Sequence, residues 1–246
     1  MIVQLNREAV GTGPVVTIAK LRQSAECGQP DIHQHGPVRP AATRMIPGTE
    51  GYAEHAAELV KRFEAVSFAE KHAAVMHLLP SVPSTVLDVG AGSGADAAWF
   101  ASKGYRVVAV EPTDALRLAG LELHRAHPFE WVDDSLPDLA RMRARDERFD
   151  VVMLTAVWMH LDELERQRAM PRLASLLAPA GILVMSIRHG PAPSERRIFD
   201  LSDEETIALA LGCSLKKVFG LRTASVQAAN RPAGVTWSRL AFQRVT

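Results

Sequence analysis

The chain has 246 residues, 28 acidic and 28 basic side chains and 47% hydrophobic residues, enough for one buried core of ordinary domain size. A formal net charge of zero argues against the basic stripe that a nucleic-acid partner requires. Two distant cysteines, Cys27 and Cys213, without a CxxC pair, argue against a disulfide framework or a zinc site, and no apolar run approaches the ~20 residues of a membrane span.

In chain order, residues 1–47 carry Pro14, Pro30, Pro37, Pro40 and Pro47 without sustained periodicity, so a flexible N-terminal extension is expected there. His33 and His35 lack further ligand types nearby and read as solvated, not as a metal site. Residues 48–246 form the expected domain. Within it, 48–82 carry two helical patterns, about 50–64 and 68–79, which the resemblance drawn below implies to be helices covering the site. Ser67 and Glu70 have the spacing of a capping box, and Pro80 and Pro83 end the region.

Strand and helix patterns then alternate. Strands are predicted at Thr85–Val89, Arg106–Val110, Phe129–Val132, Asp150–Leu154 and Ile182–Ile187, with helices near 95–103, 114–126, 136–145 and 162–177. Short Val- and Ile-rich runs separated by helices indicate a parallel sheet covered on both faces. Ser202 and Glu205 open another helix. Two strand-like runs near Leu215–Leu221 and Val235–Phe242 have no helix between them and are expected to pair antiparallel. The fold class is α/β: a doubly wound, mainly parallel seven-stranded sheet ending in an antiparallel hairpin.

The stretch DVGAGSG follows the first strand. Gly90, Gly92 and Gly94 allow a sharp bend and close backbone approach by a ligand, and the helix after Gly94 presents unpaired N–H groups. Glu111 closes the second strand, 21 residues after Gly90, where an acid can accept hydrogen bonds from both hydroxyls of a ribose. Asp88, two residues before the glycines, reads as a brace for the turn.

DVGAGSG, Glu111, the pair Asp133–Asp134, FDVVML and LLAPAGILVMS together resemble a class I S-adenosylmethionine-dependent methyltransferase, from about Glu50 to Thr246. The resemblance implies S-adenosylmethionine as cofactor. It also implies a set of cofactor-binding positions: Asp88, Gly90, Ala91, Gly92 and Gly94 in the turn, Glu111 and Pro112 after the second strand, Asp133, Asp134 and Ser135 after the third, and Thr155 after the fourth. One departure is Ala180 in LLAPAG, where glycine is common. Asp133 and Asp134 have a second reading as acids at a helix N-terminus.

Methyl transfer from a sulfonium asks the protein mainly to align the acceptor and exclude water. His160 is a candidate base, with capping as its alternative. Arg188 and His189 are candidates to hold an anionic acceptor. Trp158 reads as a cover or as core, Tyr52, Phe63, Phe68 and His72 as shaping the acceptor pocket, and Asn230, Arg231 and Trp237 as bordering it. TAVW lacks an Asn/Asp-Pro-Pro-aromatic signature, and neither cysteine follows a proline, so a small-molecule acceptor is expected. The protein reads as cytoplasmic, a monomer or homodimer without nucleic-acid or membrane partners. Rival readings are an NAD-dependent oxidoreductase and a non-catalytic S-adenosylmethionine-binding protein.

Overall fold

The computed structural model describes residues 46–192, 196–227 and 230–245. Of the expected extension only Ile46 and Pro47 fall within these; Cys27, His33 and His35 lie outside the described residues. The first helix, α1, spans Ala56–Glu64. It begins later than its pattern because Gly48 and Gly51 take positive φ (91° and 74°) and the chain makes turns up to residue 55. The next, α2 (Phe68–His72), starts at the expected capping box, with both Ser67 and Glu70 bonds formed. Its pattern continues only as a 3-10 turn at Met76–Leu78 before Pro80.

Among the described residues the sheet has seven strands: β1 Thr85–Val89, β2 Arg106–Val110, β3 Glu130–Val132, β4 Phe149–Thr155, β5 Leu177–His189, β6 Leu215–Ala224 and β7 Thr236–Arg244. Their order is β3-β2-β1-β4-β5-β7-β6. The first five pair in parallel, and β7 pairs antiparallel with both β5 and β6. The fold class expected from sequence is the one observed.

Helices α3 (Ala95–Ser102), α4 (Asp114–Leu123), α6 (Glu163–Leu176) and α7 (Asp203–Leu211) lie close to their patterns. The helix α5 is a single turn, Ala140–Arg143, far shorter than the expected 136–145. Pro137 offers no N–H, Leu139 takes φ 45°, and the Asp134 carboxylate takes the N–H groups of Arg141 and Met142, which fixes the start at residue 140. Strand β5 is longer than expected because Leu177 pairs with Phe149 and Ile182 with Val151, leaving the intervening Pro179–Gly181 turn bulged out of the ladder. Ala180 sits in that bulge at φ 61°.

Each face of the sheet has its own core. Leu87, Leu154 and Leu183 pack with Met170 and Leu173 of α6 on one side. Val86, Ala109 and Val151 pack with Phe68 and Phe100 on the other. Val86 and Leu87 are adjacent, both fully buried, and point to opposite faces; each such side chain contributes roughly 1.5–3 kcal/mol. With both faces covered, ligand access is left at the carboxyl ends of β1, β4 and β5. A cavity of about 270 Å³ opens there.

Candidate cofactor and acceptor site

The turn after β1 is held by its own backbone. The N–H groups of Gly90 and Ala91 both donate to the Val110 carbonyl, at 2.8 and 2.9 Å, which curls the chain over the end of β2. Gly90 has φ 71° and Gly92 φ 59°. A Cβ on Gly90 would stand 2.4 Å from Val157 Cγ2, and one on Gly92 3.1 Å from the Phe63 ring. Glycine is therefore demanded here by the protein's own side chains, a reason additional to ligand approach. Phe63, on α1, lies over the turn. Gly94 is the N-cap of α3 at φ 82°.

Glu111 is buried beside this turn. Its Oε2 accepts from Gly92 N at 2.9 Å and its Oε1 from Thr113 N at 2.9 Å. Burial raises its pKa, and the two backbone donors pull back against that rise. Each carboxylate oxygen keeps a lone pair for a further donor. Glu111 and Pro112 both line the cavity.

Asp88 is also buried on the cavity wall, and its Oδ2 has no hydrogen-bond partner. Burial, reinforced by the nearby Asp96 charge, pushes its pKa well up. Asp96 behaves oppositely. Burial alone would raise it, but the His72 ring (Nε2 to Oδ2, 2.8 Å) and the Lys71 ammonium (2.6 Å) hold it well below the usual carboxylate range. Thr155 Oγ1 donates to the same Oδ2 at 2.9 Å. Asp96 carries no distinctive signal in the sequence, because an acid in a helix's first turn has an ordinary explanation in the helix dipole. Its partners Lys71 and His72 are more than 20 positions away.

The acidic pair after β3 divides its work. Asp134 accepts from Ser135 N (2.9 Å), Arg141 N (2.8 Å) and Met142 N (3.0 Å), the helix N-terminal role. Asp134 and Ser135 border the cavity, whereas Asp133 turns to Arg117 and Arg141 at 3.6 and 3.7 Å.

Beyond β4, His160 Nδ1 lies 2.6 Å from the Arg197 carbonyl oxygen, and its Nε2 lies 2.9 Å from the Tyr52 hydroxyl. A carbonyl only accepts, so Nδ1 carries the hydrogen and Nε2 accepts from Tyr52 O–H. Burial lowers the His160 pKa and raises that of Tyr52. Arg197 is fixed in turn by Asp162 (3.0 Å) and Glu165 (2.8 Å). Trp158 is core: fully buried, it donates to Thr206 Oγ1 at 3.0 Å.

Strand alternation separates Arg188 from His189. Arg188 lies across from Trp237 and faces the cavity with it. His189 lies on the other side of the sheet, bonded to Ser238 Oγ at 2.9 Å and near Asp203 and Arg222, and does not line the cavity. Tyr52, Phe63, His72, Asn230 and Trp237 do line it. Phe68 instead stacks on Trp99, and Arg231 donates to the Ser225 and Val226 carbonyls.

The strand order, the glycine turn followed by a helix, the acid just after β2 and the terminal hairpin together make a methyltransferase-like fold. Residues 87–185 match a family model described as a methyltransferase domain. The fold is similar to that of Burkholderia thailandensis 1,6-didemethyltoxoflavin-N1-methyltransferase, whose structure holds its substrate and S-adenosylhomocysteine (20% identity, TM-score 0.55, covering 78% of this chain and 90% of that one). It is also similar to a TehB-like methyltransferase from Corynebacterium glutamicum (17% identity, TM-score 0.57, 78% and 98% covered). A third is magnesium protoporphyrin IX methyltransferase from Synechocystis with bound S-adenosylmethionine (14% identity, TM-score 0.53, 79% and 80% covered). No curated protein has a significant sequence match to this chain. Within residues 87–185 the chain is thus similar to a methyltransferase domain, and its fold is that of structures that hold S-adenosylmethionine or S-adenosylhomocysteine.

Proposed function

We propose that this protein transfers the methyl group of S-adenosylmethionine to a small-molecule acceptor. The observation that carries the reading is the pairing of Glu111 with the Gly92 turn on the wall of a cavity that Tyr52, His160 and Trp237 also line. One pocket thus offers groups for a nucleoside and groups for an acceptor.

The donors of the cofactor fit the acceptors present. Glu111 keeps lone pairs for the ribose hydroxyls, with Pro112 and the Gly90–Gly94 turn as the floor. Asp88 Oδ2, buried and without a partner, suits the methionyl ammonium, a cation that would favour the ionised carboxylate. Ser135 and Asp134 border the adenine end, and Thr155 braces the wall through Asp96. When bound, the sulfonium supplies an electrophilic methyl group, so the protein's own part is alignment and proton removal.

Tyr52 and His160 suit the second task. An acceptor hydroxyl or ammonium would give its proton to the Tyr52 oxygen as Tyr52 passes its own to His160 Nε2, which the Arg197 carbonyl keeps unprotonated and aimed. Tyr52 is thereby the group that touches the acceptor, and His160 the base behind it. The test is transfer of a labelled methyl group from S-adenosylmethionine to a panel of small metabolites, run beside S-adenosylhomocysteine titration. Product with a small acceptor and tight binding support the reading. Absence of S-adenosylhomocysteine binding overturns it.

A further inference from the structure

Four arginines border the cavity: Arg62 on α1, Arg188 on β5, Arg196 after β5 and Arg239 on β7. Among the described residues none of them forms an ion pair with a carboxylate, although Lys71, Arg166 and Arg197 nearby all do. Arg196 lies 4.8 Å over the Tyr52 ring. Arg188 gives one N–H to the Gly190 carbonyl at 3.1 Å. Arg239 is only 7% exposed, donates to the Lys71 carbonyl through Nε and Nη2, and leaves its buried Nη1 without a hydrogen-bond partner among the described residues. Burial depresses the pKa of Arg188 and Arg239, and for Arg188 the neighbouring Arg196 and Arg62 charges add to it. Like charges gathered in a half-buried pocket without counter-ions are costly unless a ligand supplies the negative charge.

Their placement in the sheet says which ligand. On β5 and β7, Ser186 faces Arg239 and Arg188 faces Trp237, so all four side chains leave the same side of the sheet. Glu111 ends β2, and β5 is three strands away in the order β2-β1-β4-β5, a lateral separation of about 14 Å. A nucleoside gripped at Glu111 therefore lies over β1 and β2. Arg188 and Arg239 stand on β5 and β7, Arg196 lies against Tyr52, and the charges of Arg196 and Arg62 reach Arg188.

We infer that the methyl acceptor carries an oxyanion, a carboxylate or a phosphate, held by Arg188 and Arg196 with Arg62 and the buried Arg239 completing the positive wall. The inference rests on the methyl-transfer reading and names the substrate class for it. The oxyanion anchors the acceptor and Trp237 flanks its body. Guanidinium donors suit either anion, since both accept two parallel N–H bonds.

The full chain saturated with S-adenosylhomocysteine should be melted with 20 mM phosphate, benzoate or the neutral isostere benzamide at matched ionic strength. The arms separate phosphate from carboxylate recognition. At least one anion should raise Tm by about 2 °C or more, by mass action, while benzamide should not. Arg188→Gln/Arg196→Gln should abolish that shift and leave S-adenosylhomocysteine affinity within threefold, which also reports that the variant is folded. Three results overturn the inference: neither anion stabilises the wild type; the shift survives in the double variant; or the double variant loses S-adenosylhomocysteine affinity by more than tenfold, which would assign the arginines to the cofactor's own carboxylate. Failure of the wild type to bind S-adenosylhomocysteine is a different result. It overturns the methyl-transfer reading, and this inference with it.

Discussion

Replacing Glu111 tests the proposed nucleoside contact directly. In Glu111→Ala the two oxygens that accept from Gly92 N and Thr113 N, both at 2.9 Å, are lost together with the remaining lone pairs that face the cavity. Hydrogen bonds to a charged group contribute roughly 1.5–3 kcal/mol. Two ribose hydroxyls sharing one carboxylate thus place the loss of S-adenosylhomocysteine affinity at about 1.5–3 kcal/mol, or roughly 10- to 150-fold. Glu111→Gln sharpens the measurement. Its amide oxygen can satisfy one backbone N–H, but its NH₂ must then face the other, so its affinity should fall between those of wild type and Glu111→Ala. Calorimetric titration measures both, and the pH dependence adds a third readout. Because burial raises the Glu111 pKa, wild-type affinity should begin to fall on acidification above the pH at which an ordinary glutamate titrates. Glu111→Gln should remove that step. A folded Glu111→Ala protein that binds S-adenosylhomocysteine within twofold of wild type would refute the assignment.

Other outcomes are equally checkable. Gly90→Ala should destabilise by about 2–5 kcal/mol, combining the left-handed φ of 71° with a Cβ 2.4 Å from Val157 Cγ2. Adding Val157→Ala should recover the steric part in thermal melts, and no recovery would mean that the contact is not the cause. Ala180→Gly should stabilise by about 0.5–1 kcal/mol, since Ala180 is exposed and held at φ 61°; an unchanged or lower Tm would contradict that. Burial lowers the His160 pKa below its ordinary 6.5, so the unfolded chain binds more protons there than the folded one. The stability from a neutral His160 is full above pH 6.5 and is lost as pH falls through the lower folded value. Urea melts at pH 7.5 and 5.5 should show a smaller difference in His160→Gln than in wild type. Tyr52→Phe should lower kcat for a hydroxyl acceptor by roughly 10²–10⁴-fold while leaving S-adenosylhomocysteine affinity unchanged; a kcat within threefold of wild type removes Tyr52 from proton transfer.

The sheet and the cofactor turn were legible because their determinants are contiguous. Thr85–Val89, the glycines and Arg106–Val110 form one β-turn-α-β unit in which each segment's pattern agrees with its neighbour's. The capping box at Ser67 reads in the same local way, and so does the hairpin, marked by two strand runs without a helix between them. The misread lengths come from tertiary competition. The α5 pattern is cut short because Asp134, which also borders the cavity, claims the N–H groups of residues 141 and 142. The β5 pattern reads as beginning at Ile182 because a Pro-Ala-Gly bulge hides the pairing of Leu177 with Phe149.

The proposed acceptor residues show the opposite behaviour. His189 and Arg188 looked alike as residues just past a strand, yet β5 runs through His189, and its twofold alternation sends the two side chains to opposite faces. Tyr52 and His160 meet across 108 positions, and the arginines come from four segments that share no local pattern. The family match tells the same story from outside: it covers residues 87–185, which hold the glycine turn, Glu111 and His160. Arg62, Arg188, Arg196, Arg239 and Tyr52 all fall beyond its ends. The contiguous unit is thus the part similar to a methyltransferase domain. The residues outside it are gathered by the sheet order, which brings Arg188 on β5 and Arg239 on β7 to one side of the sheet and onto one cavity.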